Sequence, residues 1–434
     1  MDIIKKLLEG VPLPRMVRIR QTFSTSEVKD VSAALRAELA KPSIESAIKP
    51  GNRVAVAVGS RGVKSISTLT RVTVEELKKR GAQPFIVPCM GSHGGASAEG
   101  QKHILANLGV TEASAGCEIL SSMEVVELGR LPNGLPVYMD KYAHGADGIV
   151  VINRVKPHTA FRGTCESGVV KMITIGLGKQ KGAESCHAYS FKYMAENILA
   201  MTEMVLAKTP VWFGVATVEN AYDEIAKVVA IPGNELIDTD KALLVEAKAN
   251  MPKLYFDQID VLIIDQIGKE ISGDGMDPNI TGRYPTPYAS GGPEVSKMVL
   301  LDLTAPGNGN GMGTADFATR KLVNKVDFKM TYANGLTSTV VGPTHMPTIL
   351  DDDRDAILAA IKTCNARDLN KARVVRIKDT LHMNEISISE SMLAEARMKS
   401  EITVIGSVAD MVFDSIGNIL DDAVPELARN VAKT

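Results

Sequence analysis

The sequence predicts an α/β protein of two domains, with mostly parallel sheets and flanking helices. Three observations predict it. At 434 residues the chain exceeds the roughly 100–200 residues that one core usually organises. Its apolar runs are short, rich in Val and Ile, and end in polar, glycine-containing loops, as buried parallel strands do. Helix-like segments alternate with those runs, the order expected of right-handed crossovers on a parallel sheet.

The elements follow in order. "KPGNRVAVAVGSRG" places an apolar run between a Pro-Gly turn and a polar loop, and so reads as a buried strand. "SISTLTRVTVEELKKRGAQ" brings Leu69, Val72 and Leu77 to spacings that share a helix face, and Gly81 suits the C-terminal cap. "PFIVPCMGSHGG" is a second strand and loop, and "SAEGQKHILANLG" a second helix that stops at Gly109. "DGIVVINRV" is a third strand, and "SFKYMAENILAMTEMVLAK" a later helix. The pattern restarts at "NMPKLYFDQIDVLIIDQIGKEISGDGMDPN", which sets the boundary near Asn250: residues 1–250 form an N-terminal α/β domain and 251–434 a C-terminal α/β domain. The active site is expected in the inter-domain cleft, because loops at the carboxyl ends of parallel strands are where ligands bind. No repeat or low-complexity tract is present.

Composition narrows the function classes. The 49 basic residues nearly cancel the 51 acidic ones, so net charge suggests neither a nucleic-acid partner nor an acidic tail. Aromatic residues make up only 4%, which argues against base-stacking platforms. The five cysteines are scattered with no C-x-x-C pair, against a disulfide framework, a structural zinc site or an iron–sulfur cluster. The opening "MDIIKKLLEGVPLPR" does not read as a signal peptide, and no run of roughly eighteen apolar residues suggests a membrane span. A cytoplasmic protein without a membrane partner is expected.

Of seven histidines, three lie in loops that should converge. His93 sits in "GSHGG", His158 in "KPHTAF", and His187 in "ESCHA" where a helix begins. A lone loop histidine is most often structural, but three at the ligand-facing ends of a sheet carry more weight. His103, His144, His345 and His382 are read as structural, the last two without chemical companions nearby. Lys171, inside "GVVKMITIGLG", is the sharper anomaly. Burial of an ammonium is costly unless it is paired, neutralised or covalently used, and enzymes exploit that penalty to obtain a reactive amine. The blander reading is a lysine whose stem covers apolar surface while its head reaches water.

Gly163, Ser167, Gly168, Gly176 and Gly178 supply small residues near which a phosphate could approach the backbone. They form neither a P-loop nor a Rossmann fingerprint, and "GNGNGMG" lacks the lysine and hydroxyl of a P-loop and reads as a flexible loop. Arg61, at the end of the first strand, could grip a carboxylate. "GKEISGDGMDPNITGR" gathers Lys269, Glu270, Asp274, Asp277, Asn279 and Arg283 after a strand and is a candidate for substrate contact. "LDDDRDAILAAIK" reads as an acidic helix start favoured by the macrodipole rather than a metal cluster.

Together these residues resemble the nickel-pincer-nucleotide-dependent lactate racemases and their homologues that act on 2-hydroxy acids. The "GSHGG" loop matches the first catalytic histidine onto His93, and the second maps onto His158. The cofactor-bearing lysine maps onto Lys171, and the metal-ligating histidine onto His187, sixteen residues later. The resemblance implies a pyridinium-3-thioamide-5-thiocarboxylic acid mononucleotide linked to Lys171, with Gly163, Ser167 and Gly168 beside it and nickel held by the cofactor and His187. Cofactor-maturation enzymes are the implied partners.

The implied reaction is racemisation or epimerisation of a 2-hydroxy acid by reversible hydride transfer. A histidine of ordinary pKa, about 6.5, can take the hydroxyl proton at neutral pH, so His93 and His158 would divide that work as bases. Arg61 would hold the substrate, and Lys269, Asn279 and Arg283 are the candidate contacts from the C-terminal domain. Departures point to a substrate other than lactate. An acid of the family is replaced by Val58, the gap from His158 to Lys171 is a few residues longer, and "SGDGMDPNITGR" replaces a segment that ends in Gln and Lys. The alternatives are a nucleotide-dependent dehydrogenase or lyase, and a non-enzymatic nucleotide- or metabolite-binding protein. Oligomeric state is left open, a homo-oligomer included.

Overall fold

The structure, a computed structural model, describes residues 3–59, 63–307 and 309–420. It is α/β throughout, with mostly parallel sheets and flanking helices. Two compact units divide the chain: Ser24–Met251, and Met1–Phe23 together with Pro252–Thr434. The expected N-terminal span of 1–250 therefore gives up its first residues. Strand β1 (Met16–Gln21) pairs antiparallel with a strand at Glu385–Ser389 and another at Ile402–Val404, partners no local pattern in the sequence could reveal.

The Ser24–Met251 unit holds a five-stranded sheet. Its strands are β2 (Arg53–Val58), β3 (Gln83–Pro88), β6 (Gly148–Arg154), β7 (Val211–Glu219) and β8 (Ile225–Pro232), in the order β3-β2-β6-β7-β8. A two-stranded ribbon, β4 (Val125–Arg130) with β5 (Pro136–Asp140), lies outside that sheet. The first four strands of the sheet run parallel, and β8 closes the edge antiparallel to β7. In β2, Val54 to Val58 are all buried, the continuous apolar pattern of a strand covered on both faces. The helix Ile66–Lys79 covers one face with Leu69, Val72 and Leu77 in the core, and Gly81 adopts the positive φ of a helix C-terminus.

This strand order positions the site. From β2 the chain adds β3 on one side and later β6 on the other, so the direction of winding reverses between β2 and β6. At such a switch point the loops leaving the carboxyl ends splay apart and leave room for a ligand. The loop after β3 carries His93, and the loop after β6 carries His158.

The other unit is organised around an eight-stranded sheet whose β9 (Gln258–Ile267), β10 (Glu294–Leu303), β11 (Phe317–Thr319), β12 (Thr348–Leu350) and β13 (Val374–Ile377) run parallel. β14 (Glu385–Ser389), β1 and β15 (Ile402–Val404) extend it antiparallel. Asp352 caps the helix Asp353–Thr363, and Lys321 pairs with Asp353 at 2.9 Å, so the "LDDDRD" run is a helix start as expected. Among the described residues no helix is long and apolar enough to cross a membrane.

Candidate active site

His158 is held by its neighbours from three directions. Its backbone N–H donates to Glu166 Oε2 at 2.8 Å, and its carbonyl accepts from Arg162 Nη1 at 2.8 Å. Its ring packs at 4.5 Å from Phe161 and 5.8 Å from Phe191. The backbone N–H of Ala160 donates to His158 Nδ1 at 3.0 Å. A backbone N–H cannot accept, so in the neutral ring the proton sits on Nε2. Desolvation, followed by the charges of Lys171, His187, Lys156 and Arg162, holds this imidazole well below the ordinary histidine range. The expected histidine of ordinary pKa is therefore corrected here: this ring is neutral and a donor at Nε2.

His187 carries the opposite tautomer. It ends the helix Lys179–His187, and its Nδ1 donates to the Ala183 carbonyl one turn back at 2.7 Å. Nε2 is left with its lone pair. Desolvation lowers the pKa of this ring and the nearby Lys171 lowers it further, against the bond to Ala183, which raises it. Phe191 meets the ring edge-on at 5.3 Å. A neutral imidazole with Nδ1 fixed on a carbonyl presents Nε2 as an acceptor or lone-pair donor atom for a ligand.

Lys171 is only partly buried, so of the two readings open for it the fully enclosed ammonium does not hold. It closes the short helix Val169–Lys171 and leads into the π-helical turn Met172–Gly176, where Leu177 N–H donates to the Met172 carbonyl at 2.9 Å. Single π turns often mark functional sites, since they turn a side chain out of register. Lys171 is close enough to act electrostatically on both His158 and His187, so these three residues share one site. The His93 loop joins the same wall: Gly91 N–H donates to the Gly176 carbonyl at 3.2 Å, and Cys89 Sγ to Met172 O at 3.3 Å.

Residues 11–198 match the family model described as the lactate racemase N-terminal domain. That stretch carries a lactate racemase-like N-terminal domain. The lactate racemase apoprotein from Thermoanaerobacterium thermosaccharolyticum resembles it in fold, at 14% identity and a TM-score of 0.52, over 85% of this chain and 99% of that one. A protein from Thermotoga maritima covers 64% of this chain and 72% of its own at 14% identity, with a TM-score of 0.48. No curated protein matches the chain.

Within this lactate racemase-like domain the small residues serve packing. A Cβ at Gly168 would lie 2.3 Å from Asp240 Oδ1, and one at Gly163 would lie 2.7 Å from the Ala195 Cβ. Their missing side chains thus admit protein atoms. Ser167 exchanges backbone bonds with Lys156, at 2.7 and 3.2 Å, and closes the His158 loop at its base. Arg61 lies outside the described residues.

In the other unit, Lys269 Nζ donates to the Gly273 carbonyl at 3.0 Å, and Asn279 Nδ2 to Asp277 Oδ1 at 2.8 Å. Arg283 is engaged with Val295 O, Ser296 O and Asp316 Oδ2 at 3.0, 2.7 and 2.9 Å. That guanidinium clamps a loop to the β10 edge. His382 was expected to stand alone and instead meets Asp379 at 2.7 Å.

Three residues escaped the sequence reading. Glu166, 1% exposed, accepts from the backbone of His158 and from Lys248 Nζ at 2.7 Å. Asp240, fully buried, accepts from Val169 N–H at 2.9 Å and so caps the turn that carries Lys171. Lys179, fully buried, reaches Gln101 Oε1 at 3.0 Å, Asp140 Oδ2 at 3.4 Å and the Pro88 carbonyl. Nothing in "CES", "DTDKA" or "GKQKG" distinguishes these residues from surface charges, because their partners lie far off in sequence.

Proposed function

We propose that the protein interconverts stereoisomers of a 2-hydroxy acid other than lactate, using a nickel pincer nucleotide held at Lys171 and His187. The family match over residues 11–198 supports a racemase-like function. The finer reading rests above all on His187, whose Nδ1 is committed to Ala183 O at 2.7 Å and whose Nε2 therefore keeps a lone pair, sixteen residues after Lys171. Among the described residues no three His, Cys, Asp or Glu side chains gather as a metal site. A metal at His187 would accordingly take its remaining ligands from a bound cofactor.

When bound, the cofactor would supply hydride-accepting and hydride-donating chemistry beside C2 of the substrate. The chain's own residues do the rest. Lys171 provides an amine for covalent linkage, which removes its charge. His93 takes the hydroxyl proton and gives it back. His158 donates from Nε2 to the same oxygen as it becomes a carbonyl, the part an electrophilic neutral imidazole plays. This differs from the even sharing of proton work that the resemblance implies. The oxygen's proton carries no stereochemical information, so one base can serve both enantiomers if the keto acid turns before hydride returns. Phe161 and Phe191, 1% and 7% exposed, keep water from the rings they pack on.

The test is to make the protein alongside cofactor-building enzymes and incubate it with single enantiomers of C2-deuterated 2-hydroxy acids, followed by chiral chromatography. Inversion with deuterium retained at C2 is expected. Absence of inversion across the panel, or release of free keto acid with a dissociating nucleotide, would rule out this reading in favour of a binding protein or a dehydrogenase.

A further inference from the structure

We propose that Lys179, with Gln101 and Asp140, is a positioning device that locks the His93 loop to the segment between Lys171 and His187. The inference rests on the proposed function only where it assigns His93 a catalytic part. Lys179 is placed for this work: it lies eight residues after Lys171, eight before His187, and opens the helix that His187 ends. Its ammonium donates to Gln101 Oε1 at 3.0 Å and to the carbonyl of Pro88, the last residue of β3, and pairs electrostatically with Asp140 Oδ2 at 3.4 Å.

Gln101 passes the restraint on. Its Nε2 donates to the Gly91 carbonyl at 2.8 Å and the His93 carbonyl at 3.3 Å, so both ends of the amide are used, one on Lys179 and one on the loop. Asp140 fixes the third corner, since its Oδ1 accepts from Tyr142 and Ala143 N–H and its own N–H donates to the Leu177 carbonyl at 2.7 Å. The backbone at Lys179 has φ of 55°, a left-handed conformation that a non-glycine residue holds only when its surroundings fix it. A buried ion pair is a poor source of net stability, because apolar side chains of similar volume often do as well or better. A buried polar network does confer geometry, here through the bonds of Lys179 and Gln101 and the ion pair with Asp140 Oδ2, and catalytic groups need such a supporting shell.

Two substitutions in the full-length chain test this. Lys179→Met removes the ammonium. Gln101→Glu keeps an oxygen for Lys179 but removes the amide N–H that the loop carbonyls accept. Hydrogen exchange of amides 89–97 should rise by about tenfold or more in each variant while that of strand β6 is unchanged, and the His93 imidazole resonance should move while that of His382 stays. Unchanged exchange in the loop of a folded variant, or a rise spread equally over the unit, overturns the proposal. Should Lys179→Met fail to fold, Gln101→Glu decides alone. On the cofactor-loaded enzyme, kcat should fall roughly a hundredfold with KM little changed, the penalty of slight misplacement. Absence of turnover even in the wild type would count against the proposed function and leave the exchange result standing.

Discussion

The backbone N–H of Ala160 donates to Nδ1 of His158 at 3.0 Å, and that bond decides what the imidazole can do. It assigns the proton of the neutral ring to Nε2. Nitrogen-detected NMR of the histidine rings should show the Nε2–H tautomer for His158 and the Nδ1–H tautomer for His187. Desolvation depresses the His158 pKa, so the ring should stay neutral as pH falls through the range where exposed histidines protonate. A His158 that titrates near 6.5 with an Nδ1 proton would restore it as a base.

Glu166 organises the loop that presents His158, through the His158 N–H at 2.8 Å, the Gly163 N–H at 3.3 Å and Lys248 at 2.7 Å. Glu166→Ala strands these partners around a carboxylate site that is 1% exposed, and should cost about 2–3 kcal/mol in urea unfolding. Glu166→Gln retains one acceptor oxygen and should cost about half of that.

Asp240 supplies a pH signature. Burial raises its pKa to about 6, above the roughly 3.9 of an unfolded aspartate, although Val169 and Val170 N–H act in the opposite direction. The folded state thus binds the proton more tightly than the unfolded one. Its contribution is fully present below about pH 4 and is lost as pH rises towards 6. Asp240→Asn keeps an acceptor for Val169 and removes this titration. Relative to wild type, the variant should gain about 2–3 kcal/mol between pH 4 and pH 7 in denaturant melts. A constant difference between the two proteins would contradict the assignment.

Gly168 and Asp240 form a coupled pair. A methyl group at Gly168 meets Asp240 Oδ1 at 2.3 Å, so Gly168→Ala should destabilise the protein by about 1–3 kcal/mol. The cost should largely vanish in an Asp240→Ala background, a coupling that a double-mutant cycle reads directly. Equal costs in both backgrounds would place the strain elsewhere.

These residues also show where sequence reasoning reaches and where it stops. Strands β2, β3 and β6 were legible because strands covered on both faces need uninterrupted Val, Ile and Ala, and the loops with His93 and His158 followed from them. The nearness of His187 to Lys171 agrees with the distance in sequence that singled the pair out. Apolar flanks left the burial of Lys171 open between two readings: it is partly exposed, and Lys179, in the polar "GKQKG", is the enclosed ammonium. Flanking residues report the neighbours on the same helix turn, whereas Asp140, Gln101 and Pro88 arrive from β5, a distant helix and β3. The same reason hid Glu166 and the pairing of β1 with β14 and β15, since long-range partners leave no local pattern.

The most direct test of the central claim is the mass of the peptide that carries Lys171, measured with the nickel content of protein made beside cofactor-building enzymes. A nucleotide-sized adduct on Lys171, absent in Lys171→Arg, with nickel near one per chain that is lost in His187→Ala, is the predicted result. An unmodified Lys171 and no bound nickel, in protein whose maturation enzymes load a known lactate racemase in parallel, would contradict it.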